Sequence, residues 1–84
     1  MINDVQQRVL KAIAEVLERQ ESNIPLDASL RGDLGFDSLK QMTLSILLED
    51  EFHRSIQSEE LVDIVSVQDI IDFIHRKLQE TAPT

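Results

Sequence analysis

The sequence has no cysteine, no tyrosine and no tryptophan, and only two glycines, two prolines and three phenylalanines in 84 residues. Without cysteine there is no disulfide and no thiolate metal site, so stability must come from apolar packing. With few aromatics, aliphatic side chains have to fill the core. No run approaches the roughly 20 apolar residues of a membrane span. Met1-Ile2-Asn3-Asp4 lacks the basic segment that opens a signal peptide, so a cytoplasmic protein is expected. Positive charge is also scarce: 8 Lys and Arg face 16 Asp and Glu, a net charge of −8. Nucleic acid phosphates would be repelled. The acidity suits partners with basic surfaces, or serves only to keep a small domain soluble. The length implies one domain, residues 1–84. A chain of this size buries only about 60–65% of the surface its unfolded form exposes, which leaves no room for a deep cleft between domains.

What is present is helical periodicity. Residues 3–20 carry Val5, Val9, Ile13, Val16 and Leu17 at spacings of 3 and 4, with Ile2, Leu10 and Ala12 beside them and Asn3 as N-cap. Glu15 and Arg19 are placed to pair at i,i+4. Residues 21–37 form a long connection, with Pro25 disfavouring helix at Ile24. Ile24, Leu26, Leu30 and Leu34 are expected to pin it to the core; long ordered loops are often functional. Residues 38–53 form the next helix. Its apolar residues split into Leu44, Leu47, Leu48 and Phe52 on one side and Leu39, Met42 and Ile46 roughly opposite. Either the helix is buried on both sides, or the second set is an exposed docking stripe. Residues 58–63 read as a short helix capped by Ser58, with Leu61, Ile64 and Val65 as its apolar contribution. Residues 66–79 read as the last, opened by a Ser66/Asp69 capping box and carrying Val67, Ile70, Ile71, Phe73, Ile74 and Leu78. Glu80 to Thr84 is expected to be a frayed tail. The fold class is therefore all-α: a small four-helix bundle of three main helices and one short one, with a long ordered loop after the first.

The chemistry concentrates at Asp33-Leu34-Gly35-Phe36-Asp37-Ser38-Leu39. Gly35 permits positive φ. Asp37 and Ser38 are good N-cap residues, so Ser38 falls at or one step inside a helix start. There the unpaired N–H groups and the helix dipole favour a bound anion such as a phosphate ester.

This stretch resembles the 4′-phosphopantetheine attachment motif of acyl carrier proteins, with Ser38 as the modified serine. The resemblance extends over residues 2 to 79: Asp27-Ala28-Ser29-Leu30 upstream, and Leu48-Glu49-Asp50-Glu51-Phe52 and Val67-Gln68-Asp69-Ile70-Ile71 downstream, fall at the family's distances. It implies that a phosphopantetheinyl transferase moves the arm from coenzyme A onto the Ser38 hydroxyl, using Mg²⁺, with Asp37, Gly35 and Leu39 framing the site. The arm's thiol then carries an acyl group as a thioester, a chemistry that a cysteine-free chain has to import. The carrier is not an enzyme; acyl-loading and acyl-transferring enzymes of fatty acid, polyketide or related biosynthesis act on it. Leu39, Lys40, Met42, Thr43, Ile46 and Glu49 are the expected docking residues, on a monomer whose ends read as those of a freestanding protein.

One departure from the family pattern stands out. Carriers of fatty acid synthesis usually show acids early in this helix; here Lys40 and Thr43 stand at such positions, and the first acid is Glu49. Either Lys40 is a neutral surface substitution or it marks a specialised carrier with dedicated enzymes. Asp37 before the serine favours an acyl over an aminoacyl or peptidyl carrier. The reading from another class is a helical interaction module without a prosthetic group, in which Ser38 only caps.

Other chemistries fail on their own terms. Asp27, Ser29, Gly32 and Leu34 sit at calcium-loop offsets, but Arg31 takes a ligand position and Ser38 stands where a bidentate Glu is needed. No Gly-x-Ser-x-Gly elbow surrounds Ser38. His53 and His75 fall near helix ends, where imidazole suits the dipole. Adjacent acids such as Glu59-Glu60 read as solvated faces.

Overall fold

The computed structural model describes residues 4–79, so the expected Asn3 cap, the contribution of Ile2 and the tail from Glu80 onward lie outside the described residues. Among these residues there are three α-helices and no strand: α1 (Asp4–Leu17), α2 (Ser38–Phe52) and α3 (Val67–Gln79). Two short 3-10 turns, Glu21–Asn23 and Ser58–Leu61, interrupt the connections. Helix α1 packs against both α2 and α3, and α2 packs against the second 3-10 turn.

The core follows the helical spacing. Val9, Ala12, Ile13 and Ala14 of α1 meet Leu44, Leu48 and Phe52 of α2 and Val67, Ile70, Ile71, Phe73 and Ile74 of α3 in one buried cluster. Leu10, Val16, Leu17 and Leu78 pack partly buried around it. Arg8 fastens the start of α1 to the end of α2. Its guanidinium donates to the Glu51 carboxylate (2.6 Å), to the Glu51 carbonyl (2.6 Å) and to Asp4 (3.0 Å). It also lies 4.4 Å from the Phe52 ring centroid, a favourable cation–π distance.

Helix α1 ends three residues before its expected limit. Glu18 turns left-handed (φ 58°) and the Arg19 amide donates back to Ala14 (3.0 Å), a helix-ending reversal usually made by glycine. Arg19 therefore leaves the helix, and the expected Glu15–Arg19 ion pair does not form. The short helix of residues 58–63 is instead a 3-10 turn of four residues, held by i→i+3 bonds such as Val62 N–H to Glu59 (3.3 Å). The residue before it, Gln57, is its cap, and its amide donates to the Glu60 carboxylate (2.9 Å). In this tighter turn Leu61 is buried, but Val65 is 64% exposed rather than in the core. Glu60 also pairs with Lys77 of α3 (2.7 Å). The ammonium first, and the Gln57 amide second, hold the Glu60 carboxyl below its ordinary pKa.

The long connection is pinned as expected: Ile24, Leu30 and Leu34 are buried, joined by Ala28 and Phe36, and Leu26 is half-buried. It also forms an isolated antiparallel bridge, Ser29 with Ser66. Leu30 N–H donates to Val65 (2.8 Å), Val67 N–H to Ala28 (3.1 Å) and Gln68 N–H to Leu26 (2.9 Å). The loop thus serves as a backbone cap for α3.

Candidate functional site

The site is built from the end of that loop. Ser29 and Asp33 exchange two side-chain bonds. The Ser29 amide donates to the Asp33 carboxylate (2.9 Å), and the Asp33 amide donates to the Ser29 hydroxyl (2.9 Å). The Asp33 and Leu34 amides also both donate to the Ser29 carbonyl (3.0 Å each). This closes one tight turn over residues 29–34. A Cβ on Gly32 would lie 2.7 Å from the Ser29 hydroxyl oxygen, so a side chain there would displace it. Gly35 follows at φ +72°, with nothing within 4 Å of where a Cβ would stand. Its requirement is conformational, not steric. Phe36 then drops into the core, and its amide donates to the Leu30 carbonyl (2.8 Å).

With Phe36 anchored, Asp37 and Ser38 emerge together on the surface. Asp37 is the N-cap of α2: its backbone is extended and its carboxylate accepts the Lys40 amide (2.9 Å). Its carbonyl accepts the Gln41 amide (2.9 Å). The Lys40 amide, and more weakly the Lys40 charge, hold the Asp37 carboxyl below its ordinary pKa. It stays ionised and committed to the helix start. Ser38 is the first residue of α2 and is exposed. Neither its hydroxyl nor its amide hydrogen-bonds to any described residue. A nucleophilic oxygen therefore projects from a rigid bend beside an amide free to meet an anion. These features fit a phosphodiester on Ser38: room around Gly35, an unengaged hydroxyl, and a helix start facing solvent.

The other candidate residues divide. Leu39 (71% exposed), Met42 (51%) and Ile46 (57%) form the outward stripe of α2. The opposite side, Leu44, Ser45, Leu48 and Phe52, is buried. The Ser45 hydroxyl is satisfied by the Met42 carbonyl (2.7 Å). Thr43 is exposed, and its hydroxyl donates to the Leu39 carbonyl (3.0 Å). Lys40 is half-buried at the edge of the stripe. Glu49 is positioned differently from its neighbours: its carboxylate accepts the Ile56 amide (2.8 Å) and its carbonyl the His53 amide (2.8 Å). It secures the exit of α2, where His53 adopts the left-handed conformation (φ 55°).

Sequence reasoning missed two neighbours. Arg31 reaches from the loop to the Gln41 side chain (3.5 Å), and Gln41 in turn donates to the Ser58 carbonyl (3.3 Å). Arg31 lies seven residues before Ser38, so no helical spacing could have flagged it. Val62 is 51% exposed beside Val65, on a turn too short for periodicity to be read. No described helix is long and apolar enough to cross a membrane. Compared with known families, residues 7–74 match the family described as phosphopantetheine attachment site. The match runs from α1 into α3 and contains the whole bend and Ser38.

Proposed function

The chain belongs to the phosphopantetheine attachment family, whose domains receive 4′-phosphopantetheine covalently and carry substrates for enzymes without being catalytic themselves; from this premise we propose that it is an acyl carrier protein with Ser38 as the attachment residue. The observation that carries the reading is the Ser38 hydroxyl, exposed and without an intramolecular partner at the first residue of α2. In the attachment reaction the Ser38 oxygen would form a new bond to the phosphorus nearest the pantetheine of coenzyme A. The pyrophosphate bond breaks and adenosine 3′,5′-bisphosphate leaves. The serine proton would pass to a base of the transferase, while Asp37, which accepts the Lys40 amide, holds the helix start. The bound arm supplies a thiol that holds an acyl group as a thioester.

Each residue of the bend has a stated role in this proposal. Gly35 makes the turn, Phe36 anchors it, Asp37 fixes the start of α2, and Leu39 opens the stripe that partner enzymes would contact. Fatty acid or polyketide biosynthesis supplies the cargo. Lys40, at the edge of that stripe, points to a specialised carrier with its own enzymes. The test is intact mass after incubation with coenzyme A, Mg²⁺ and a promiscuous transferase, followed by acyl loading. A gain of one phosphopantetheine, lost in Ser38→Ala, is expected. An unmodified wild-type protein would overturn the proposal.

A further inference from the structure

A groove runs between the long loop and the connection into α3, and one of its walls is charged. Ser29, Arg31 and Gly32 line one side and Val62, Ile64 and Val65 the other, around a volume of about 290 Å³. That is room for roughly ten water-sized groups, which suits a short chain. Val62 (51% exposed) and Val65 (64% exposed) leave apolar surface open to water there. The Ser29 hydroxyl already accepts the Asp33 amide. Arg31 is the one charged side chain on the lining, and it forms no ion pair among the described residues. Its bond to the Gln41 side chain is long, at 3.5 Å, and a guanidinium carries five N–H donors. Asp33 and Asp37 balance Arg31 and Lys40 at longer range, so the surroundings of Ser38 are not a cationic patch. Their carboxylates, however, are turned onto the Ser29 and Lys40 amides and do not line the groove. What Arg31 can attract is therefore decided by contact inside the groove.

The groove is continuous with the attachment site. Gln41 follows Ser38 by three residues, about 4.5 Å along the axis, on a neighbouring face of α2. Its side chain meets Arg31 and also donates to the Ser58 carbonyl (3.3 Å), at the inner edge of the helix. A tether on Ser38 that folds back past Gln41 reaches the groove at Arg31.

Resting on the carrier reading of Ser38, we propose that the groove receives the cargo end of the tether and that Arg31 selects a short acyl group bearing a carboxylate. The valines and Ile64 cover the methylenes, and the guanidinium fork pairs with the two carboxylate oxygens. A plain alkyl chain of equal length would displace water from the same donors and leave them unpaired, which costs binding. The cargo class is then one whose far end is oxidised to an acid, rather than a simple fatty chain.

The experiment loads the full chain by a promiscuous transferase with Mg²⁺, from either hexanoyl-coenzyme A or adipoyl-coenzyme A. The two cargoes have equal length and differ in a terminal methyl against a terminal carboxyl. Carbon-13 NMR follows the labelled carboxyl and the methyl groups of Val62 and Val65. Adipoyl loading should move the two valine signals, and hexanoyl loading should move them less. The carboxyl should titrate at least about 0.3 pH unit lower in the parent than in Arg31→Gln. Lys11→Gln, which removes a positive charge from the exposed side of α1, should leave that titration unchanged. Arg31 is exposed, so its replacement spares the core, and the comparison of the two cargoes on the parent chain needs no variant. Valine signals that ignore the adipoyl group or move equally with hexanoyl would overturn the proposal. So would a carboxyl that titrates alike in the parent and Arg31→Gln, or one that Lys11→Gln shifts as far. A parent chain that gains no acyl arm in its intact mass contradicts the carrier reading and this proposal together; one that loads normally and fails the NMR tests contradicts this proposal alone.

Discussion

Helices α2 and α3 begin with similar signals and end in opposite conditions. Each follows a loop, and each has a small polar cap residue. At α3 the amides of the first turn are all taken: Val67 by Ala28, Gln68 by Leu26 and Asp69 by the Ser66 hydroxyl (3.2 Å). The Asp69 carboxylate returns a bond to the Ser66 amide (3.3 Å), completing the capping box. At α2 the Asp37 carboxylate takes the Lys40 amide, but Ser38 keeps both its amide and its hydroxyl uncommitted. One serine closes a helix and the other presents it. The difference comes from the long connection, which lays its backbone along α3 and then turns outward at Gly35.

That contrast can be broken in several ways. The largest effect is expected from Leu30→Ala, which removes a buried anchor of the loop. Thermal or urea unfolding should show a loss of about 2–4 kcal/mol, with amide exchange at Val67 and Gln68 accelerating as the loop loosens from α3. Gly35→Ala should cost about 1–2 kcal/mol through its left-handed backbone alone, since no atom obstructs the added methyl. A loss well beyond that range in urea unfolding would mean that the bend does more than turn the chain.

Ser66→Ala and Ser38→Ala sharpen the comparison directly. The first deletes a cap bond and should destabilise by about 1 kcal/mol. The second removes no intramolecular bond and should stay within about 0.5 kcal/mol of the parent. Equal losses in the two variants would contradict the distinction between a capping and a presented serine.

The smallest effect is the pH dependence. Glu60, beside Lys77, and Asp37, beside the Lys40 amide, both have lowered pKa values. A depressed folded-state value means that their stabilisation is complete above the unfolded-state pKa and disappears as pH falls through the folded-state one. The melting temperature should therefore decline on acidification through and below the carboxylate range, and Glu60→Gln should shallow that decline.

The sequence carried the parts of this account that are local. The α3 stripe and its Ser66/Asp69 box are set by spacings of three and four residues, and the structure has them as read. The two sides of α2 could also be separated by wheel position, because one stripe had to face away from so small a core. Readings failed where distant contacts decided the outcome. Glu18 ends α1 without a glycine to announce it. Residues 58–61 form a 3-10 turn, after which the chain reaches the bridge of Ser66 with Ser29, and Val65 between them is exposed. The bond from the Ile56 amide to Glu49 joins residues seven apart across the helix exit, which no helical spacing announces. Arg31 was invisible because its link to Gln41 exists only after the loop has folded.

The central claim is that Ser38 is displayed for modification, and the most direct measurement is the site at which the arm from coenzyme A is attached, Ser38 or the serine at α3. Tandem mass spectrometry of the modified protein should locate a single phosphopantetheine on Ser38, with Ser66 unmodified and no uptake in Ser38→Ala. An arm found on another residue, or uptake that persists in Ser38→Ala, would contradict the account.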